Sequence, residues 1–152
     1  MKKISSVILA SLLLVALAAC GEGSATPAPS GGTTGATDGA LVVDTGVGAE
    51  FKYAEATLNA SAGEVKLTLN NKSAQPHNWT LVKVGEEAKA DSEASAAGAP
   101  DYKAASALAQ TKTINAGETD TITFTATPGT YSYICTFPGH FLAGMKGTIV
   151  VK

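Results

Sequence analysis

Glu64-Val65-Lys66-Leu67-Thr68-Leu69-Asn70 alternates charged or polar with apolar side chains without a break. Successive side chains of a strand point to opposite faces, so Val65, Leu67 and Leu69 share one side and Lys66, Thr68 and Asn70 the other. A period of two marks a strand with one buried face. The pattern returns at 121–126, where Ile122, Phe124 and Ala126 alternate with Thr121, Thr123 and Thr125. Working outward, β-rich runs appear at Leu41–Asp44, Phe51–Leu58, His77–Val84, Thr119–Thr127, Thr130–Thr136 and Gly147–Val151. Ser61-Ala-Gly63, Asn115-Ala-Gly117 and Pro128-Gly129 punctuate them at hairpin-like spacing. The chain is therefore expected to be all-β, a two-sheet antiparallel sandwich of about seven or eight strands. Residues 41–152 give it about 110 residues, enough for an ordinary core.

One segment breaks the rhythm. Glu86–Gln110 is rich in Ala and charge, and Pro100 could open a helix with Tyr102, Ala105, Leu108 and Ala109 near one face. It reads as a flap with a short helix on the side of the sandwich.

The N-terminus belongs to targeting rather than to the fold. Lys2 and Lys3 precede Ile4–Ala19, an uncharged and largely apolar run. It is shorter than the roughly 20 residues that span a bilayer, and it reads as an export signal over residues 1–19. Leu17-Ala-Ala-Cys20 resembles a bacterial lipobox, in which Cys20 is acylated and becomes the new N-terminus. The plainer alternative is a signal cleaved among small residues beside a chance Cys. Residues 20–40 are built mainly of Gly, Ser, Thr, Ala and Pro and lack the apolar bulk to order themselves. As a flexible linker they reach roughly 25 Å. The expected location is the extracytoplasmic (periplasmic) face of the cell membrane, held there by lipid.

Charge and cysteine use narrow the function. Without Lys2 and Lys3 the chain has nine Lys, no Arg and 13 acidic residues, a balance of −4. No basic patch and no Arg argues against nucleic acid as a partner. Only Cys20 and Cys135 exist. If Cys20 carries lipid, Cys135 cannot pair, and a lone thiol in an oxidising compartment is either inert and buried or in use.

Cys135 opens a stretch that suggests use: Cys135-Thr-Phe-Pro-Gly-His140-Phe-Leu-Ala-Gly-Met145-Lys-Gly147. Pro138, Gly139 and Gly144 favour a tight loop, which can turn a thiol, an imidazole and a thioether toward one point. Those donors are most of what copper takes in an electron-transfer site, short of one imidazole. His77, the only other histidine, follows Pro76 and opens a predicted strand. If the strand from Thr130 ends near Cys135, both residues lie at one end of the sandwich.

Pro76-His77-Asn78, Cys135-Thr-Phe-Pro-Gly-His140 and Met145-Lys-Gly resemble the type 1 blue copper proteins, the cupredoxins. The Cys loop is similar to that of the azurins. The four residues Phe141–Gly144 between His140 and Met145 are one more than azurins have, and with the lipobox and linker the chain looks more like the auracyanins. The resemblance implies a Greek-key cupredoxin fold over 41–152 and one copper per chain. It assigns His77, Cys135 and His140 as ligands and Met145 as a weak axial ligand. It further implies that Asn78 ties the first ligand loop to the Cys loop, and that Asn78 and Thr136 lie just behind the ligands. The Pro76 carbonyl would be a distant contact. Pro138, Phe141, Leu142 and Ala143 would form an apolar electron port around His140.

The expected function is that of a monomeric carrier, not an enzyme, shuttling single electrons between membrane-associated redox proteins. Such partners include a cytochrome-type donor or acceptor, a reaction centre or an oxidase, in a photosynthetic or respiratory chain. The alternative is an exported copper carrier or storage protein that uses the same residues without redox cycling. A Cys135–His140 nucleophile pair lacks an acidic residue in the loop to orient the imidazole. A multicopper oxidase needs more than two histidines.

Overall fold

The computed structural model describes residues 40–99 and 101–152. The expected signal peptide, Cys20, the linker up to residue 39, and Pro100 lie outside the described residues.

Among the described residues, eight strands and one helix follow in chain order: β1 (Ala40–Thr45), β2 (Thr57–Ala60), β3 (Gly63–Asn71), β4 (Thr80–Lys83), α1 (Glu87–Ala97), β5 (Ala109–Gln110), β6 (Thr119–Ala126), β7 (Gly129–Ile134) and β8 (Lys146–Val151). They build two sheets, ordered β1-β3-β6 and β2-β8-β7-β4-β5. The two stretches of clean alternation pair with each other. β3 and β6 run antiparallel with Val65 opposite Phe124 and Leu67 opposite Ile122, while Thr68 and Thr121 share a 3.1 Å hydroxyl contact on the outer face. Val65, Leu67 and Leu69 are fully buried, as the period of two requires.

Leu41 and Val43 of β1, Leu58 of β2, and Tyr133 and Ile149 of the second sheet complete the core. Trp79 lies among them without exposure, its ring 5.7 Å from those of Tyr133 and Phe124. β4 is buried on both faces, because Val82 and Ile134 of β7 point away from the main core and pack with Ala90 of α1 and Ala104. α1 thus covers the outside of the five-stranded sheet.

Several expectations are corrected. The sandwich is mixed rather than antiparallel, since β1 pairs parallel with β3 and β2 parallel with β8. Each of those strands is followed by a crossing to the other sheet, so neither β1 nor β2 pairs with the strand that follows it in sequence. The run Phe51–Leu58 gives a strand only from Thr57, because 46–56 turns over the end of the sandwich instead. His77 precedes β4 and joins Ile114 in an isolated bridge. The helix lies before Pro100. Glu, Ala and Lys favour helix over 87–97, Gly98 ends it in the left-handed conformation at φ 65°, and Ala109 goes instead to β5 opposite Leu81.

Leu67→Ala opens a cavity where the sheets meet and should cost about 3 kcal/mol of stability. Urea unfolding should show a lower midpoint with an unchanged slope, and a loss below about 1 kcal/mol would place Leu67 outside the load of the core.

Candidate metal centre

β7 delivers Cys135 to one end of the sandwich, and the loop that follows folds back in successive turns. His140 N donates to Phe137 O (3.0 Å), Ala143 N to Gly139 O (3.0 Å), Gly144 N to Phe141 O (2.9 Å) and Met145 N to His140 O (3.0 Å). Gly139 and Gly144 have φ of 85° and 95°, which residues with a Cβ rarely adopt. The turns return Met145 to Cys135, whose N–H donates to the Met145 carbonyl at 3.2 Å.

His77 comes from across the sheet. Its backbone exchanges two hydrogen bonds with Ile114, at 3.0 and 2.8 Å. Asn78, the next residue, accepts from the Thr136 N–H through Oδ1 (2.9 Å) and donates from Nδ2 to Thr136 Oγ1 (3.0 Å). Tyr53 Oη donates to the Asn78 carbonyl at 2.6 Å. The two ligand-bearing segments are therefore joined one residue away from each candidate ligand.

The result is a compact triangle of donor atoms. Cys135 Sγ lies 3.8 Å from His77 Nδ1 and 3.5 Å from His140 Nδ1, and the two nitrogens are 3.1 Å apart. Sides of 3.1, 3.5 and 3.8 Å define a circle of radius about 2.0 Å, close to the roughly 2.0–2.3 Å at which imidazole and thiolate hold an ion such as zinc. These residues fit one metal ion. They form a group of three metal-binding side chains within 4.8 Å of one another, all buried.

Burial controls their protonation. It pushes the Cys135 thiol up to about 11, against the pull of the Asn78 and Phe137 N–H groups toward the thiolate. It pulls His77 down to about 4, helped by the neighbouring charge of His140, and lowers His140 too. At neutral pH the free site thus offers two neutral imidazoles and a protonated thiol.

The other expected residues separate. Met145 is fully buried beside Cys135 and His140 along the hydrogen-bonded backbone, and Pro76 is half-buried just before His77. Pro138, Leu142 and Ala143 are exposed, Leu142 at 80%. Phe141 is half-buried, with its ring packed against the small cluster under α1 and Lys146 Nζ 6.0 Å away. His140 keeps 5% of its surface exposed where His77, Cys135 and Met145 keep none.

Two contributors were not foreseen. Phe51 places its ring 4.8 Å from His140, matching Phe137 at the same distance. Asn71, 1% exposed, accepts from Thr45 Oγ1, Ser73 N and Ser73 Oγ and donates to the carbonyls of Gln75 and Ile114. It thereby shapes the turn that leads to His77. An Asn closing a strand just before Lys-Ser is a turn signal in the sequence, but its partners are too distant along the chain to be read there.

A mixed β-sandwich with a buried Cys–His–His triangle at one end defines a mononuclear metal protein. The chain belongs to the family described as copper binding proteins, plastocyanin/azurin family, whose family model matches residues 40–152. Over 156 residues it is 39% identical to auracyanin-A of Chloroflexus aurantiacus, covering 95% of this chain and 93% of that one. It is 44% identical over 110 residues to auracyanin-B of the same organism, covering 65% of this chain and 46% of that protein. The fold matches dithionite-reduced auracyanin of the photosynthetic bacterium Roseiflexus castenholzii with a TM-score of 0.68, at 36% identity, over 77% of this chain and 99% of that one. It is an auracyanin-like blue copper protein, and copper is its metal.

Coordination takes the thiolate, so copper(II) uptake at pH 7 should release about one proton per chain. Calorimetry in buffers of different ionisation enthalpy measures this, and no release would remove Cys135 from the ligand set.

Proposed function

We propose that this protein is a lipid-tethered carrier of single electrons, in which His77, Cys135 and His140 hold one copper ion and Met145 supplies a weak axial thioether. The observation that carries the reading is the buried donor triangle with its centre about 2.0 Å from each atom. Bound copper supplies a one-electron couple, and a set of thiolate, imidazole and thioether suits both of its oxidation states. The protein's part is to hold the donors still. The Asn78–Thr136 pair and the turns from Gly139 to Met145 fix them from both sides, and full burial of His77 and Cys135 keeps water out.

His140 is the route out, being the one member of the triangle with any exposure. Pro138, Leu142 and Ala143, exposed on the same loop, offer a small apolar surface suited to a brief encounter with a redox partner. Partners of this kind are membrane-associated, a cytochrome-type donor or acceptor, a reaction centre or an oxidase. The photosynthetic source of the Roseiflexus relative supports a photosynthetic chain. Acylated Cys20 and the linker would keep the domain at the extracytoplasmic face of the membrane.

The copper-loaded protein should be intensely blue, bleach reversibly with reductant, and transfer electrons more slowly to its partner when Leu142→Lys charges the patch. A colourless or redox-inert complex would instead support a copper carrier, and an unchanged rate in the variant would remove the patch from the mechanism. Mass spectrometry of the mature protein should find an acylated Cys20 at its N-terminus; an unmodified end would leave it untethered.

A further inference from the structure

We propose that the loop Gly46–Lys52 is a clamp that positions both metal-binding histidines, and that its Glu50 carboxylate lowers the reduction potential of the bound copper. The proposal rests on the electron-transfer reading above and adds a positioning residue that neither the sequence motif nor the donor triangle contains.

Two adjacent side chains of this loop reach the two histidine segments separately. Glu50 Oε1 accepts from the N–H groups of Ala74 and Gln75, both at 2.9 Å, on the turn that ends at His77. Phe51 lays its ring 4.8 Å from that of His140, at 54°. Those imidazoles are 63 residues apart in sequence, and one dipeptide spans them.

The base of the loop is closed and pressed against the same turn. Gly46 N donates to Lys52 O and Lys72 N to Thr45 O, each at 3.2 Å. Gly46, with φ of 74°, approaches Ser73 so closely that a Cβ there would lie 2.5 Å from the Ser73 Cα. Ser73 is in turn fixed by Asn71, through its N–H at 3.0 Å and its hydroxyl at 2.9 Å. The clamp therefore bears on a turn that cannot yield easily.

Glu50 also acts at a distance. Its carboxylate is bonded to the turn two residues before His77, and the neighbouring Phe51 ring meets His140, so its negative charge falls near both imidazoles. A negative charge there favours the more highly charged Cu(II) between them. The sign follows: removing the charge raises the potential. Glu50 is half-exposed, so salt should weaken the effect.

The test compares native protein, Glu50→Gln and Glu50→Ala, all copper-loaded, by voltammetry and paramagnetic resonance. Glu50→Gln keeps an oxygen for both N–H groups and loses only the charge. Its midpoint potential should rise at low salt with the blue band unchanged, and the rise should shrink at about 1 M salt, where charges are screened within roughly 3 Å. Glu50→Ala removes the clamp as well and should alter the copper hyperfine splitting, which Glu50→Gln leaves intact. A potential that does not rise in Glu50→Gln, or rises equally at both salt concentrations, overturns the role of the charge. Identical hyperfine splitting in Glu50→Ala and native protein overturns the clamp. A native protein without a reversible copper couple overturns the electron-transfer reading and this proposal with it.

Discussion

The structure depends on one exchange of hydrogen bonds, between the Asn78 side chain and Thr136. β4 and β7 pair antiparallel, with Thr80 opposite Ile134, and the same register carried two residues further would put Asn78 opposite Thr136. Beyond the last ladder pair, the Asn78 amide takes the place of a backbone. It accepts the Thr136 N–H and donates to its hydroxyl. That substitution frees the His77 backbone to pair with Ile114 on the other side. His77 and Cys135 can then turn their donors toward each other across a gap that a regular sheet would have filled with main chain. Both partners of the exchange are buried, so losing either side chain would leave polar groups unpaired at a cost of about 1–3 kcal/mol each.

Everything else at this end of the sandwich serves to hold that gap open at one size. Trp79 follows Asn78 and locks against Tyr133 and Phe124 in the core. Asn71 and Ile114 steady the turn before His77. The Cys loop is too short to wander, since four of its backbone bonds close within the loop itself. An arrangement fixed on all sides changes little when the charge at its centre changes by one, which is what a fast electron carrier needs. The protein contributes this stillness through ordinary packing and hydrogen bonds.

The strands with one buried face were legible because alternation is local: Val65, Leu67 and Leu69 announce their face without reference to any partner. The three donors of the Cys loop were legible for the same reason, their spacing being set by glycine and proline between them. His77 could be found by elimination, as the only remaining imidazole. What the sequence could not show was pairing at long range. The parallel contacts of β1 and β2 leave no mark in either strand, and β5 is two residues long. Phe51 carried the periodic look of a strand and lies instead over His140, because packing on the imidazole outweighs its β-propensity. Phe141, expected in the surface patch, is half-buried, one side packed against the small cluster beneath α1. Pro100 suggested a helix start, yet Ala-rich 87–97 and Gly98 had already placed a helix and its end upstream.

Dryness and access make opposing demands on such a site, and its place at the end of the sandwich reconciles them. Burial keeps the Cys135 thiol protonated and both imidazoles neutral in the free protein, so the donors coexist within 4 Å without mutual repulsion. Deeper in the core they would be equally dry, but no partner could approach. At the rim, water would compete for the metal. His140 resolves the conflict by being nearly, and not wholly, covered: Phe137 and Phe51 lie against its ring and only a sliver remains exposed. The candidate ligand that reaches the surface is the one carried by the successive turns of the Cys loop, whose exposed Pro138, Leu142 and Ala143 are apolar.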